Sequence, residues 1–242
     1  IGLAIARRLS DRGSEVILVS SNAEKLEKAK STFKADAKVG LHLCNLMDRH
    51  EVSEFCNMLS TENSEFDILI NNSGGPRVGN IFDVGIDDWD RAIQANFLSF
   101  VQLTRYCLDS MKQKGWGRVI NISSTVAIEP SEQMVLSASV RSAVSAFSKS
   151  VADTVAKDGI SINTICPGGI ETERLASLIE QQAIKSGREY EETLKDNVKI
   201  IPAGRYGTPD ELASFAEYLC CEEAVYITGR VLGFDGGLLR SF

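Results

Sequence analysis

Asp67-Ile-Leu-Ile-Asn-Asn-Ser-Gly-Gly75 is an apolar run that breaks at once into small and polar residues. Its first half reads as a buried strand and its second as a tight turn, where short or missing side chains let a ligand approach the backbone at the strand's carboxyl end. Working outward, similar β-branched or apolar runs stand at 15–20, 39–44, 118–123, 160–166 and 230–235. Segments of helical period separate them, at 2–12, 49–60, 87–114, 134–157 and 209–221. Strands that alternate with helices predict an α/β chain, a doubly wound and mainly parallel sheet of the Rossmann type in a three-layer α/β/α arrangement.

A length of 242 residues fits one domain spanning 1–242, and 43% hydrophobic with 24% charged residues is the composition of an ordinary globule. The 33 acidic and 26 basic side chains give a net charge of -7 without a basic cluster, so nucleic acid is not an expected partner. No apolar run reaches the roughly 18 to 20 residues of a membrane span, and residues 1–10 lack a signal-peptide core. A cytoplasmic protein without a membrane partner is expected. The six cysteines lack zinc spacings, and His42 and His50 match neither a metalloprotease motif nor a hydrolase triad, so no metal is expected.

The first element, 2–12, is a helix that Gly13 ends, with no strand before it. In dinucleotide-binding sheets the first strand is internal and feeds a glycine-rich phosphate turn, so the sequence reads as N-terminally truncated, lacking that strand and most of that turn. The least regular stretch is 168–208, which still carries helical spacing at 173–184. Long inserts after a strand's carboxyl end are where substrate lids occur. Residues 171–208 are therefore expected to form a lid, with an exposed helical excursion as the alternative.

Gly117-Arg-Val-Ile-Asn-Ile-Ser-Ser124 is a second strand that ends in hydroxyls, and thirteen positions after Ser124 stands Ser137, at the start of a long helix. Ser137 and Arg141 are one helical turn apart and share a face. Cys166-Pro-Gly-Gly-Ile-Glu-Thr172 follows a β-branched strand with a rigid turn, and Asp235-Gly-Gly237 closes the last strand. In this order the segments resemble the short-chain dehydrogenase/reductase family over essentially all residues present. Ile1-Gly2 resembles the tail of its glycine-rich motif, and Asn71-Asn72-Ser73-Gly74 its Asn-Asn-Ala-Gly turn. Asn96 falls at its helix asparagine, Ser124 at its active-site serine, and Pro167, Gly168, Ile170 and Thr172 in the turn that holds the nicotinamide carboxamide. Residues 205–213 and 227–237 resemble its C-terminal signatures.

The resemblance implies reversible hydride transfer between a nicotinamide and a small-molecule carbonyl or alcohol, with a 3-oxoacyl-type compound or small ketone as substrate. It assigns catalysis to Asn96, Ser124 and the positions of Ser137 and Arg141. Cofactor contacts fall to Gly2, Ser20, Ser21, Asn45, Leu46, Asn72, Ser73, Gly74 and Arg141 and to the Pro167 turn. It also implies a homodimer or homotetramer built on helices 87–114 and 134–157.

Two departures stand out. The family has tyrosine and lysine where this sequence has Ser137 and Arg141, and no tyrosine lies between Tyr106 and Tyr190. A serine hydroxyl is a far poorer acid than a phenol, whereas arginine keeps the charge and offers a fork of donors to ribose hydroxyls. Three readings follow: a water relay among Ser124, Ser137 and Arg141, an acid borrowed from the substrate, or a nicotinamide-binding regulatory or scaffold protein with little or no turnover. The second departure is Asn45, which keeps a carbonyl acceptor where an aspartate usually meets adenine. After the second family strand, Ser20, Ser21 and Asn22 supply neither acid nor base, and the missing acid tips the expectation toward NADP over NAD. Arg77 puts a cation near the expected substrate mouth, with a solvated loop arginine as its bland alternative.

Overall fold

The computed structural model describes residues 1–241. Six parallel strands carry the fold: β1 (Val16–Ser20), β2 (Val39–Leu43), β3 (Ile68–Asn71), β4 (Gly117–Ile122), β5 (Ile160–Pro167) and β6 (Val231–Phe234). Each lies where the apolar runs predict. Parallel pairing forces crossover connections, and helices supply them. They are α1 (Gly2–Asp11), α2 (Ala23–Lys30), α3 (Arg49–Thr61), α4 (Ile86–Ile93), α5 (Ser99–Lys114), α6 (Val135–Val155), α7 (Glu173–Ser186), α8 (Tyr190–Lys199) and α9 (Pro209–Cys220).

Three features differ from the sequence expectation. The single helix expected at 87–114 is three pieces, because a π-helical turn, Gln94–Leu98, joins α4 to α5. Helices α2 and α8 have no counterpart in the sequence reading: α2 buries only Leu26, whereas α8 packs Tyr190, Leu194 and Val198, spaced four apart, against the cluster of Ile179, Ile201 and Tyr206. The strands also form two sheets, β1-β2 and β3-β4-β5-β6. The edges of β1 and β3 face an apolar cavity of about 480 Å³ lined by Val16, Leu18, Ile68, Ile70, Phe100 and Leu103.

Strands β4 and β5 are buried at every residue, including the polar Arg118, Asn121, Ser161, Asn163 and Thr164 that interrupt their β-branched runs. On one side α1 and α9 cover them through Ile5, Leu9, Leu212, Ala216 and Leu219. The buried Glu217 of α9 accepts from Arg8 and Arg12 of α1, tying the two helices together. On the other side α5 and α6 contribute Cys107, Met111, Ala152 and Val155. This stack holds the carboxyl ends of β3, β4 and β5 side by side, and those ends carry the site.

Candidate active site

Strand β3 ends at Asn71, so Asn72, Ser73 and Gly74 form the turn above it. The first residues of α1 lie beside that turn. A Cβ added to Gly2 would come within 2.8 Å of the Asn72 amide nitrogen, so only glycine lets the start of α1 approach so closely. The α1 N-terminus therefore opens its free backbone N–H groups next to the β3 turn, an arrangement suited to phosphate.

The π-turn places Asn96, which is 3% exposed, at the centre of a small polar cluster. The extra residue of a π-turn shifts the helix face, and such turns recur at functional sites. The Ser73 hydroxyl donates to Asn96 Oδ1 at 3.0 Å, and Arg141 Nη2 donates to the same oxygen at 3.4 Å. Arg141 thus reaches Asn96 directly. Its Nη1 donates to the main-chain oxygens of Ile122 and Ser123 at 2.9 and 2.8 Å, so α6 grips the end of β4. Among the described residues no carboxylate pairs with Arg141. Burial, followed by the nearby charge of Arg174, pushes its pKa down to about 10.

Ser124 follows β4 and caps a short 3-10 turn, accepting from the Val126 N–H at 3.5 Å. Ser137 is buried one turn before Arg141 on α6. The described hydrogen bonds of Ser124 and Arg141 do not include it. The structure therefore brings Ser73, Asn96 and Arg141 into contact and leaves Ser137 outside their hydrogen bonds.

The turn after β5 is pinned from both sides. Gly168 N–H donates to Phe234 O at 3.0 Å, and Glu171 N–H donates to Gly207 O at 2.9 Å. Thr172 caps α7, accepting from Leu175 N–H at 3.3 Å. Ile170 turns its side chain into the core, so only its main chain faces the turn's open side. On the other flank, Ser20 accepts from Asn22 N–H at 3.3 Å and Asn22 caps α2, while Ser21 is exposed. Asn45 accepts from Met47 N–H at 3.1 Å, and Leu46 packs toward the apolar cavity. Ser20, Asn45 and Asn72 thus occupy the successive strand ends along which an adenosine would extend.

Arg77 pairs with Asp88 at 3.2 Å with its side chain mostly in solvent, in keeping with a loop arginine outside the site. The cation that does reach the site is Arg174, two residues past the Thr172 cap, which the sequence reading did not single out. Its only signal was a basic residue in the first turn of a helix, where the dipole disfavours it.

The donor set fits a nicotinamide dinucleotide: a glycine-bounded phosphate cradle at Gly2, polar strand ends for the adenosine half, and a buried cation beside a pinned turn for the nicotinamide half. Residues 1–239 match the family model described as Enoyl-(Acyl carrier protein) reductase. The D-beta-hydroxybutyrate dehydrogenase of Cupriavidus necator is 32% identical over 98% of this chain and 93% of its own length. The 3-oxoacyl-(acyl-carrier-protein) reductase of Haemophilus influenzae is 34% identical over 100% and 94%. Among solved structures, YwfH, an NADPH-dependent reductase involved in bacilysin biosynthesis, superposes with a TM-score of 0.93 at 27% identity, over 100% of this chain and 94% of that one. An NADPH-bound short-chain oxidoreductase from Pseudomonas aeruginosa PAO1, described as containing an atypical catalytic center, superposes with a TM-score of 0.86 at 25% identity, over 100% and 93%. The chain belongs to the short-chain dehydrogenase/reductase family of NAD(P)-dependent oxidoreductases.

Proposed function

We propose that this chain reduces a ketone or 3-oxoacyl-type carbonyl with NADPH in preference to NADH, as a cytoplasmic homodimer or homotetramer whose 171–208 segment serves as a substrate lid. The observation that carries the reading is the hydrogen-bonded cluster of Ser73, Asn96 and Arg141 beside Ser124, at the carboxyl ends of adjacent strands. A bound nicotinamide supplies or accepts the hydride. The chain's own residues orient the reactants and handle charge and proton. Arg141 presents fixed positive charge in a dry setting, where it stabilises negative charge on a carbonyl oxygen more than it would in water. Asn96 holds that guanidinium in place, since both of its described donors converge on Oδ1 and leave its amide N–H groups free to hold a water. Ser124 offers a hydroxyl to the carbonyl oxygen, and Ser137 is the nearest residue to the missing phenol.

Lid and assembly follow from particular features. Helices α7 and α8 pack on Ile201 and Tyr206 rather than on the main core. The π-turn, α5 and α6 carry Leu98, Val101 and Phe147 respectively among residues that stay at least partly open. No described helix is long and apolar enough to cross a membrane. The second reading, a nicotinamide-binding protein without turnover, is favoured by the absence of Ser137 from the cluster's hydrogen bonds. Absorbance of the reduced nicotinamide with a panel of ketones and 3-oxo compounds separates the two. Loss of absorbance only when substrate is present supports the reductase, whereas tight cofactor binding with no loss for any compound supports the binding protein.

A further inference from the structure

The Arg174 guanidinium lies flat against the loop after β3. Its Nη2 donates to Pro76 O at 2.9 Å, and a Cβ on Gly75 would fall within 2.8–3.0 Å of its Nη2, Nε and Cζ. Gly75 is therefore the residue that lets this side chain cross from α7 to the strand ends. The same loop supplies Ser73 to Asn96, which Arg141 also holds. Arg174 thus rests on the loop at Pro76, and the same loop reaches Arg141 through Ser73 and Asn96. Among the described residues neither arginine has a carboxylate partner, whereas Arg77, Arg188 and Arg205 do; Arg141 is buried and Arg174 stays largely exposed. Desolvation weakens the charged form of each, and the charge of Arg174 adds to the effect on Arg141. Two like charges brought together without a counter-ion oppose folding, and an anion between them relieves the repulsion.

We propose that Arg174 is a specificity-determining residue that, with Arg141, binds a carboxylate on the substrate, so that the carbonyl compound reduced here is an oxo acid. The inference rests on the reductase reading and names the substrate class of that site. The anion is assigned to the substrate because Arg174 lies on the loop that supplies Ser73 to the Asn96 and Arg141 cluster. The phosphate cradle lies instead at Gly2 and Asn72. A mere strap between α7 and the loop would need one neutral donor for Pro76 O, whereas arginine brings a charge and four further N–H groups.

The test is titration calorimetry of the chain with acetoacetate and 2-oxobutyrate, each against its neutral amide, in wild type, Arg174→Gln and Arg174→Lys. Glutamine keeps a donor for Pro76 O and removes the charge, and lysine restores the charge without the fork. Wild type should bind the acids about 10- to 100-fold more tightly than the amides, the glutamine variant should lose that preference, and the lysine variant should recover part of it. Equal affinity for acid and amide in wild type, or an undiminished preference in Arg174→Gln, overturns the proposal. NADPH fluorescence titration is the second arm. Affinity within about twofold of wild type is expected for Arg174→Gln, and a loss of tenfold or more would assign the anion to the cofactor's phosphates and overturn the proposal. Nicotinamide absorbance keeps the two readings apart: acid-selective binding without turnover retains this inference and removes the reductase, while turnover of neutral ketones as fast as acids does the reverse.

Discussion

At the amino end of β4, Arg118 lies 1% exposed and donates to the main-chain oxygens of Gly117, Gly159 and Cys221, with its guanidinium carbon 4.4 Å from the Trp116 ring centroid. At the carboxyl end of the same strand, Arg141 lies 7% exposed and donates to two main-chain oxygens and to Asn96. Neither has a carboxylate partner among the described residues, and burial lowers both pKa values. The difference lies in what completes the shell. Arg118 is enclosed by backbone and an indole, which leave no place for a ligand. Arg141 is completed by a side chain that a second hydroxyl also holds, and the charge of Arg174 acts on it from the neighbouring loop. A buried cation satisfied by the backbone stabilises the fold, and one left partly open is held ready for an anion.

The largest expected effect comes from restoring the family's residues at the open end. Replacing Ser137 with Tyr and Arg141 with Lys should raise single-turnover hydride transfer on the order of 100-fold to 10,000-fold, the usual contribution of a positioned acid. A decrease would mean that the native Ser137 and Arg141 form an organised relay that the phenol destroys.

Next in size is Arg141→Met, which removes the charge and keeps an apolar stem. Hydride transfer should fall roughly 100-fold, comparable to removal of one oxyanion donor. The thermal midpoint should change much less, because the lost hydrogen bonds are offset by relief of a buried charge. The reverse profile is expected of Arg118→Met. Three carbonyls lose their donor and the indole loses its cation, so stability should fall by about 3 kcal/mol in denaturant unfolding, with cofactor affinity unchanged. If the two variants gave the same profile, the comparison of the two ends would collapse.

The same strand shows what was legible in the sequence and what was not. Strands β4 and β5 were readable from their recurring isoleucines and valine, although burial on both faces also encloses Arg118, Asn121, Ser161, Asn163 and Thr164. The strand-end residues Ser73, Ser124 and Thr172 were named through the resemblance to the family's motifs, and the structure places each of them just beyond the end of a strand. Helix α2 was not legible, since it buries only Leu26; α8 was missed although Tyr190, Leu194 and Val198 recur on it at helical spacing, because the polar residues between them dominate its composition. The π-turn around Asn96 left no compositional trace. Arg174 and Arg118 were equally silent, because a basic residue reads the same in solvent or under a sheet. Only the third dimension distinguishes Arg77, paired with Asp88 on the surface, from Arg174 lying over Gly75.

The smallest expected effect lies away from both ends of β4 and tests whether buried charge elsewhere obeys the same rule. Glu217 is buried between α1 and α9 and accepts from Arg8 and Arg12, whose side chains are 41% and 72% exposed. Burial raises its pKa, but the hydrogen bonds and charges of Arg12 and Arg8 outweigh it and leave the carboxyl below its usual value. A carboxyl depressed by folding adds stability above its unfolded pKa, and that stability is lost as the pH falls through the lower folded value. Glu217→Gln should therefore cost about 1 kcal/mol at neutral pH, the modest figure expected when the partners are substantially solvated. The deficit should shrink as the pH falls below the ordinary glutamate range, where the wild-type carboxyl also becomes neutral. Because the pair joins helices on the face opposite α6, hydride transfer per folded molecule should be unchanged. Denaturant unfolding of both proteins from pH 7 down to pH 3 measures the gap. A constant gap over that range would show that Glu217 contributes through packing alone and that its charge, unlike that of Arg141, has no consequence.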